Sequence, residues 1–183
     1  VGFVALLLLP AASAEAAETS GADVALVPPG QVVRDDLYAG AVTVVISGTV
    51  EGDLIAAAAD RVVIEGEVKG SVTALTPELI VTGTVGGSVR AAGGTITVSG
   101  SVGRDIVASV WRIDLGPDST VGGEVMFWSR RVDSRGTVEG NFRGSASRIN
   151  LAGSIGGRVD VTVGRLTVVD PLTVGGDLAY RSG

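Results

Sequence analysis

A seven-residue unit returns along this chain at a nearly constant step, and that repeat limits the possible folds more than any other feature. Gly48-Thr49-Val50-Glu51-Gly52-Asp53-Leu54 recurs as Gly66-Glu67-Val68-Lys69-Gly70-Ser71-Val72 and as Gly83-Thr84-Val85-Gly86-Gly87-Ser88-Val89. Later copies cover residues 100–106, 119–125, 136–142, 153–159 and 172–178, and a degenerate first copy ends in Val33-Arg34-Asp35-Asp36-Leu37. The central apolar residue falls at Val50, Val68, Val85, Val102, Val121, Val138, Ile155 and Val174, in steps of 18, 17, 17, 19, 17, 17 and 19 residues. Such a period is the signature of a stacked repeat architecture.

Within a unit, apolar residues alternate with small or polar ones: Val62 and Ile64, then Val68, then Val72 and Ala74. Alternation over three or four residues means short strands with one buried face, and the glycines between them mark corners. Three short strands and three corners per unit make one coil of a β-solenoid, so the fold class is all-β. Eight coils at about 4.8 Å each give a rod about 40 Å tall. The two 19-residue coils carry Gly116-Pro117-Asp118 and Asp170-Pro171, where proline belongs at a corner because it cannot donate to a strand ladder. A helical reading fails because no segment after residue 30 keeps apolar spacing at three and four. A left-handed hexapeptide helix would place apolar residues every six positions, and the calcium-binding nonapeptide run is absent.

Composition agrees with a repeat and argues against chemistry. The chain holds 28 Gly among 183 residues, 4% aromatics, no Cys and no His. No thiolate nucleophile, disulfide, thiolate metal site or imidazole base is possible. The chain therefore reads as no enzyme and as needing no cofactor.

The pattern Gly-x-Val-x-Gly-(Asp/Ser)-(Leu/Val), followed by x-Ala and then Val-x-Ile-x-Gly, resembles the bactofilins, polymer-forming cytoskeletal proteins of bacteria. The resemblance covers residues 33–180 and rests on eight recurrences of the motif. It implies a right-handed, three-sided parallel β-helix of about eight 17–19-residue coils. It also implies end-to-end homopolymers formed without nucleotide, association with a membrane, and a scaffolding role.

Residues 1–14 read as a secretory signal peptide. Val1 to Leu9 are apolar apart from Gly2, and Ala12 and Ala14 occupy the two small positions of a cleavage site. The basic segment that normally precedes such a run is missing and the first residue is Val, as in a truncated leader. Nine residues are too few to span a bilayer, which needs about 20; a membrane anchor through this segment, or through one beyond Gly183, is the alternative. Residues 15–32 read as a flexible lead-in, and residues 33–183 as the β-helix domain. With a leader in front, the chain resembles an exported branch of the family, placed in the cell envelope or on the extracytoplasmic face of a membrane.

A solenoid has two ends with unpaired backbone groups unless something caps them. Val33, Leu37 and Tyr38 at one end, and Val174, Leu178 and Tyr180 at the other, are the expected polymerisation surfaces; the competing reading is that residues 15–30 fold over one end and a further tail covers the other. Along one face, Arg112, Arg131, Arg148 and Arg165 form a column able to bind an anionic polymer. Asp114, Asp133, Asn150 and Thr167 lie two residues on, so a self-compensated ladder is the simpler reading. A glycan- or polyanion-binding module is thus the alternative function, with membrane or cell-wall polymers as partners and Trp111 and Trp128 as exposed rings able to stack on sugars or meet a membrane. Nucleic acid is not expected for a chain of net charge −6. The corner column running Asp36, Asp53, Ser71, Ser88, Asp105 and Glu124 is the place to look for a cation, although such residues commonly bond turn backbone. Carboxylate catalysis needs a cleft, and no insertion looks long enough to build one.

Overall fold

The computed structural model describes residues 4–6 and 17–182, which form a three-sided parallel β-helix. Each coil contains one long strand, such as Leu54–Ile64, Val72–Val81 or Val89–Val98, followed by a turn and a two-residue strand, such as Glu67–Val68, Thr84–Val85 or Ser101–Val102. The long strand supplies two sides of the triangle. It bends once and keeps its pairing on both sides of the bend, as Gly93 opposite Thr76 and then Thr95 opposite Glu78 show. Glycine turns therefore occupy two of the three corners, not all three as the alternation suggests. The third corner accepts Thr76-Pro77, Val110-Trp111 or Ser129-Arg130 because the chain passes it without a tight turn.

At the corner before each two-residue strand the neighbouring coils come unusually close. Thr84 N–H donates to Gly66 carbonyl at 2.9 Å, and Ser101 N–H donates to Gly83 carbonyl at 3.0 Å. The carbonyl aimed at that donor occupies the place where a Cβ on the glycine above would sit, so a Cβ on Gly83 would collide with the Gly66 oxygen. Space, not a left-handed backbone, requires glycine there.

Inward side chains stack in columns that become the core. One column runs Leu54, Val72, Val89, Ile106, Val125 and Phe142; the next runs Ala56, Ala74, Ala91, Ala108, Phe127 and Gly144. Small alanines keep the section narrow until Phe127, whose ring meets the space above Gly144. Phe127 and Phe142 are both fully buried, with ring centroids 4.9 Å apart and planes tilted by 54°. A polar exception is Ser134, which stands between Leu115 and Leu151 with its Oγ buried and unpartnered.

The solenoid begins earlier than residue 33. The stretch read as a flexible lead-in contains a strand, Ala17–Val27, paired in parallel with Leu37–Ile46. Ala25 and Val27 sit over Val44 and Ile46 and are buried, which extends two core columns by one level. Burial alternates along Val24-Ala25-Leu26-Val27, but all four residues are apolar, so no period-two pattern marks the strand in the sequence. The short side recurs at nine levels, the eight clear copies of the motif and the degenerate first one at Val32–Val33. Val4–Leu6 in turn pairs with Val24, Ala25 and Leu26. The expected cleavage residues Ala12 and Ala14 lie outside the described residues. No described helix is long and apolar enough to cross a membrane.

Candidate functional site

The solenoid gives the outward side chains a repeating stage, so the candidate sites are columns. The acidic corner column is structural. Asp53 N–H donates to an Asp36 carboxylate oxygen at 2.7 Å, Ser71 N–H to Asp53 at 2.7 Å, Ser88 N–H to the Ser71 hydroxyl at 3.2 Å, and Glu124 N–H to Asp105 at 2.9 Å. Each side chain bonds the backbone of the next coil, where a turn role would have it bond its own. The corner leaves an N–H without a ladder partner, and the side chain one level up satisfies it. No cluster of carboxylates suited to a metal ion occurs among the described residues.

The arginine column exists in register, with Arg112 opposite Arg131, Arg131 opposite Arg148, and Arg148 opposite Arg165. It divides into two halves. Asp133 accepts from Arg112 Nη2 at 3.2 Å and from Arg131 Nε at 2.9 Å, and Asn150 also donates to it. Asp114 pairs with Arg135 at 2.9 Å. Arg148 and Arg165 have no acidic partner among the described residues, because their column neighbours two positions on are Asn150 and Thr167. Self-compensation therefore holds for the upper two arginines alone.

Burial pushes the Asp133 carboxyl up, while hydrogen bonds from Asn150 and Arg131 and the charges of Arg131 and Arg112 more than reverse this and hold it below its ordinary value. A carboxylate whose pKa is lowered in the folded state contributes stability that is complete above about pH 4 and is lost as pH falls through the folded value. Asp133→Asn should lower the melting temperature at neutral pH, and the gap to the unmodified protein should close as pH drops below about 4. A gap that stays constant down to the acid unfolding limit would contradict this role.

The two proline insertions do more than absorb length. They fall at the same corner, on coils separated by two shorter ones, and those shorter coils form the floor between them. The resulting groove has a volume of about 550 Å³ and is lined by Pro117, Asp133, Asn150, Ala152 and Pro171 among others. The expectation that no insertion could shape a cleft is corrected here: alignment of two short insertions replaces one long loop. The acid and amide on its floor are already engaged with Arg112 and Arg131.

At the bend in the long strand, Trp111 and Trp128 are 61% and 55% exposed, as expected from their outward positions. The Arg130 guanidinium carbon lies 4.6 Å from the centroid of the Trp111 ring, close enough for a cation–π contact. This pairing escaped the sequence reading because Arg130 is one residue away from the arginine column and looks unrelated to it.

Of the expected stacking residues, Val33 and Leu37 are buried in the body of the rod under the Ala17–Val27 coil, and Tyr38 faces outward beside them. They do not form an end. At the opposite side, Val174, Leu178 and Tyr180 lie below Ile155, Val159 and Val161 in three core columns. Leu178 and Tyr180 are 40% and 63% exposed where the residues above them are covered. In this lowest described coil the apolar side chains stand inside a triangle of strand edges. No protein-family model, no curated protein and no solved structure matches the chain.

Proposed function

We propose that this chain is a bactofilin-like structural protein of the bacterial cell envelope that stacks end to end into filaments without nucleotide and serves as a scaffold. The observation that carries the proposal is the interchangeability of the coils. Val, Ile and Leu repeat in the same columns at nearly every level, and the backbone pairing register is the same from coil to coil. A coil of a second copy can thus meet the lowest described coil through the same strand pairing and the same apolar columns that join coils within the chain. The repeat motif supports the family resemblance, and the apolar run before Ala12 and Ala14 supports export.

Negative-stain microscopy of the full chain tests this reading. Filaments of the rod's own width are expected, unchanged by added ATP or GTP. Leu178→Asp, in the lowest described coil, should shorten or abolish them while circular dichroism stays that of a folded β-protein. Monodisperse single rods at every protein concentration, or filaments indifferent to Leu178→Asp and to Tyr180→Asp, would overturn it.

A further inference from the structure

Below Trp128 the outward side chains shrink abruptly. Ser145 follows Trp128 in register and Thr162 follows Ser145, while Ser147 and Gly164 occupy the adjoining bend on the next two levels. An open groove of about 460 Å³ results, with Trp128 as a wall and Ser145, Ser147 and Thr162 on its floor. Their three hydroxyls have no hydrogen-bond partner among the described residues, unlike Ser129 at the groove's edge, which donates to the carbonyls of Trp111 and Arg131 at 3.1 and 3.0 Å.

Three arginines are the sequence neighbours of residues that line this hollow. Arg130, stacked on Trp111, precedes Ser147 by one level; Arg148 follows Ser147 and Arg165 follows Gly164 in sequence. None of these three has an acidic partner among the described residues, although the chain as a whole carries −6. Seven arginines elsewhere on the rod are paired with an acid, as Arg143 is with Glu124 and Arg135 with Asp114, whereas Arg34, Arg90 and Arg104 have no ion pair among the described residues. At this hollow the uncompensated cations also lie beside free hydroxyls and an exposed indole.

We propose that this groove binds a carboxylated polysaccharide that lies along the solenoid axis. The indole of Trp128 packs against the C–H face of a sugar ring, the Ser145, Ser147 and Thr162 hydroxyls bond to sugar hydroxyls, and the guanidinium groups take carboxylates in two-pronged pairs. Arg148 and Arg165 stand in register on two successive levels about 4.8 Å apart, and Arg130 lies one level above and one residue before their column. That step is close to the length of one sugar unit in an extended chain, so acidic groups on successive sugars meet successive arginines. Three cations on an acidic protein are too few for a nucleic-acid backbone, whose recognition rests on a wide basic field. The groove lies on the flank of the rod, so binding there does not depend on stacking through the ends.

Affinity electrophoresis of the full chain through gels containing polygalacturonate tests the proposal, with dextran as the neutral control. Retardation by polygalacturonate, weakened by salt, and none by dextran are expected. Trp128→Ala and the double change Arg148→Ser with Arg165→Ser should each weaken binding by about tenfold. Arg104→Ser, which removes the same charge from an exposed corner outside the groove, should change it by less than about twofold. Equal retardation by dextran, an Arg104→Ser loss as large as that of a single Arg148→Ser change, or unaltered binding by Trp128→Ala would overturn the site. So would tighter binding of a single-stranded oligonucleotide of matched charge. Thermal unfolding of each variant separates lost binding from lost fold.

Discussion

Gly83→Ala is expected to destabilise the protein by about 3 kcal/mol or more, a large effect for one methyl group. The new Cβ would fall on the Gly66 carbonyl oxygen and against the Glu65 backbone. Neither can rotate away, because the Gly66 carbonyl is fixed by accepting from Thr84 N–H at 2.9 Å. Relief requires the two coils to separate, and this breaks the ladder on both sides of the corner. Gly116→Ala is the internal comparison: its nearest neighbour would be the Val98 carbonyl oxygen at 3.3 Å, in the looser corner made by the Pro117 insertion. That variant should stay within about 0.5 kcal/mol of the unmodified protein. Urea unfolding followed by far-ultraviolet circular dichroism measures both, and equal effects would show that the close approach at Gly83 is not what demands glycine.

Phe127→Ala should cost about 3–5 kcal/mol. The side chain is fully buried and packs against Phe142 with ring centroids 4.9 Å apart, directly below a run of alanines in its column. Its ring fills the section where Gly144 contributes no side chain, so removal opens a cavity that neither neighbouring level can fill. Trp128→Ala, one residue later and pointing outward, should change stability by less than about 0.5 kcal/mol. The contrast tests the alternation of the first side directly, since a slip of one residue would exchange the two outcomes. Because each coil contacts only its neighbours, the Phe127→Ala loss is also expected to uncouple the two halves of the rod and broaden the transition.

The columns were legible in the sequence because every coil-to-coil contact links residues one period apart. Val50, Val68 and Val85 can be stacked by counting, and the inward places of Phe127 and Phe142 follow from the same alternation. The arginine column was found by that arithmetic too. What it could not reveal is which arginines are neutralised. Arg131 differs from Arg148 through the side chain that follows two positions later, Asp133 against Asn150, and through the reach of Arg112 across a level to Asp133. The opening coil at Ala17–Val27 was missed for the opposite reason: its Val24-Ala25-Leu26-Val27 run is apolar throughout, and it lacks both the alternation and the glycine turn motif that signal a repeat.

Two clefts also depended on placement in three dimensions. Pro117 and Pro171 are short insertions more than fifty residues apart in sequence, and they bound one groove because the coils between them lack an insertion at that corner. Trp128, Ser145 and Thr162 are ordinary outward residues until register places them beneath one another.

The sequence alone thus determined the solenoid, its period and its buried columns, since these arise from alternation and from glycine at close corners, both of which are local and repeated. Tertiary structure decided which charges remain uncompensated, which hydroxyls stay free and where a groove opens. Those properties depend on side chains from different levels meeting at the surface, where the repeat no longer constrains residue type.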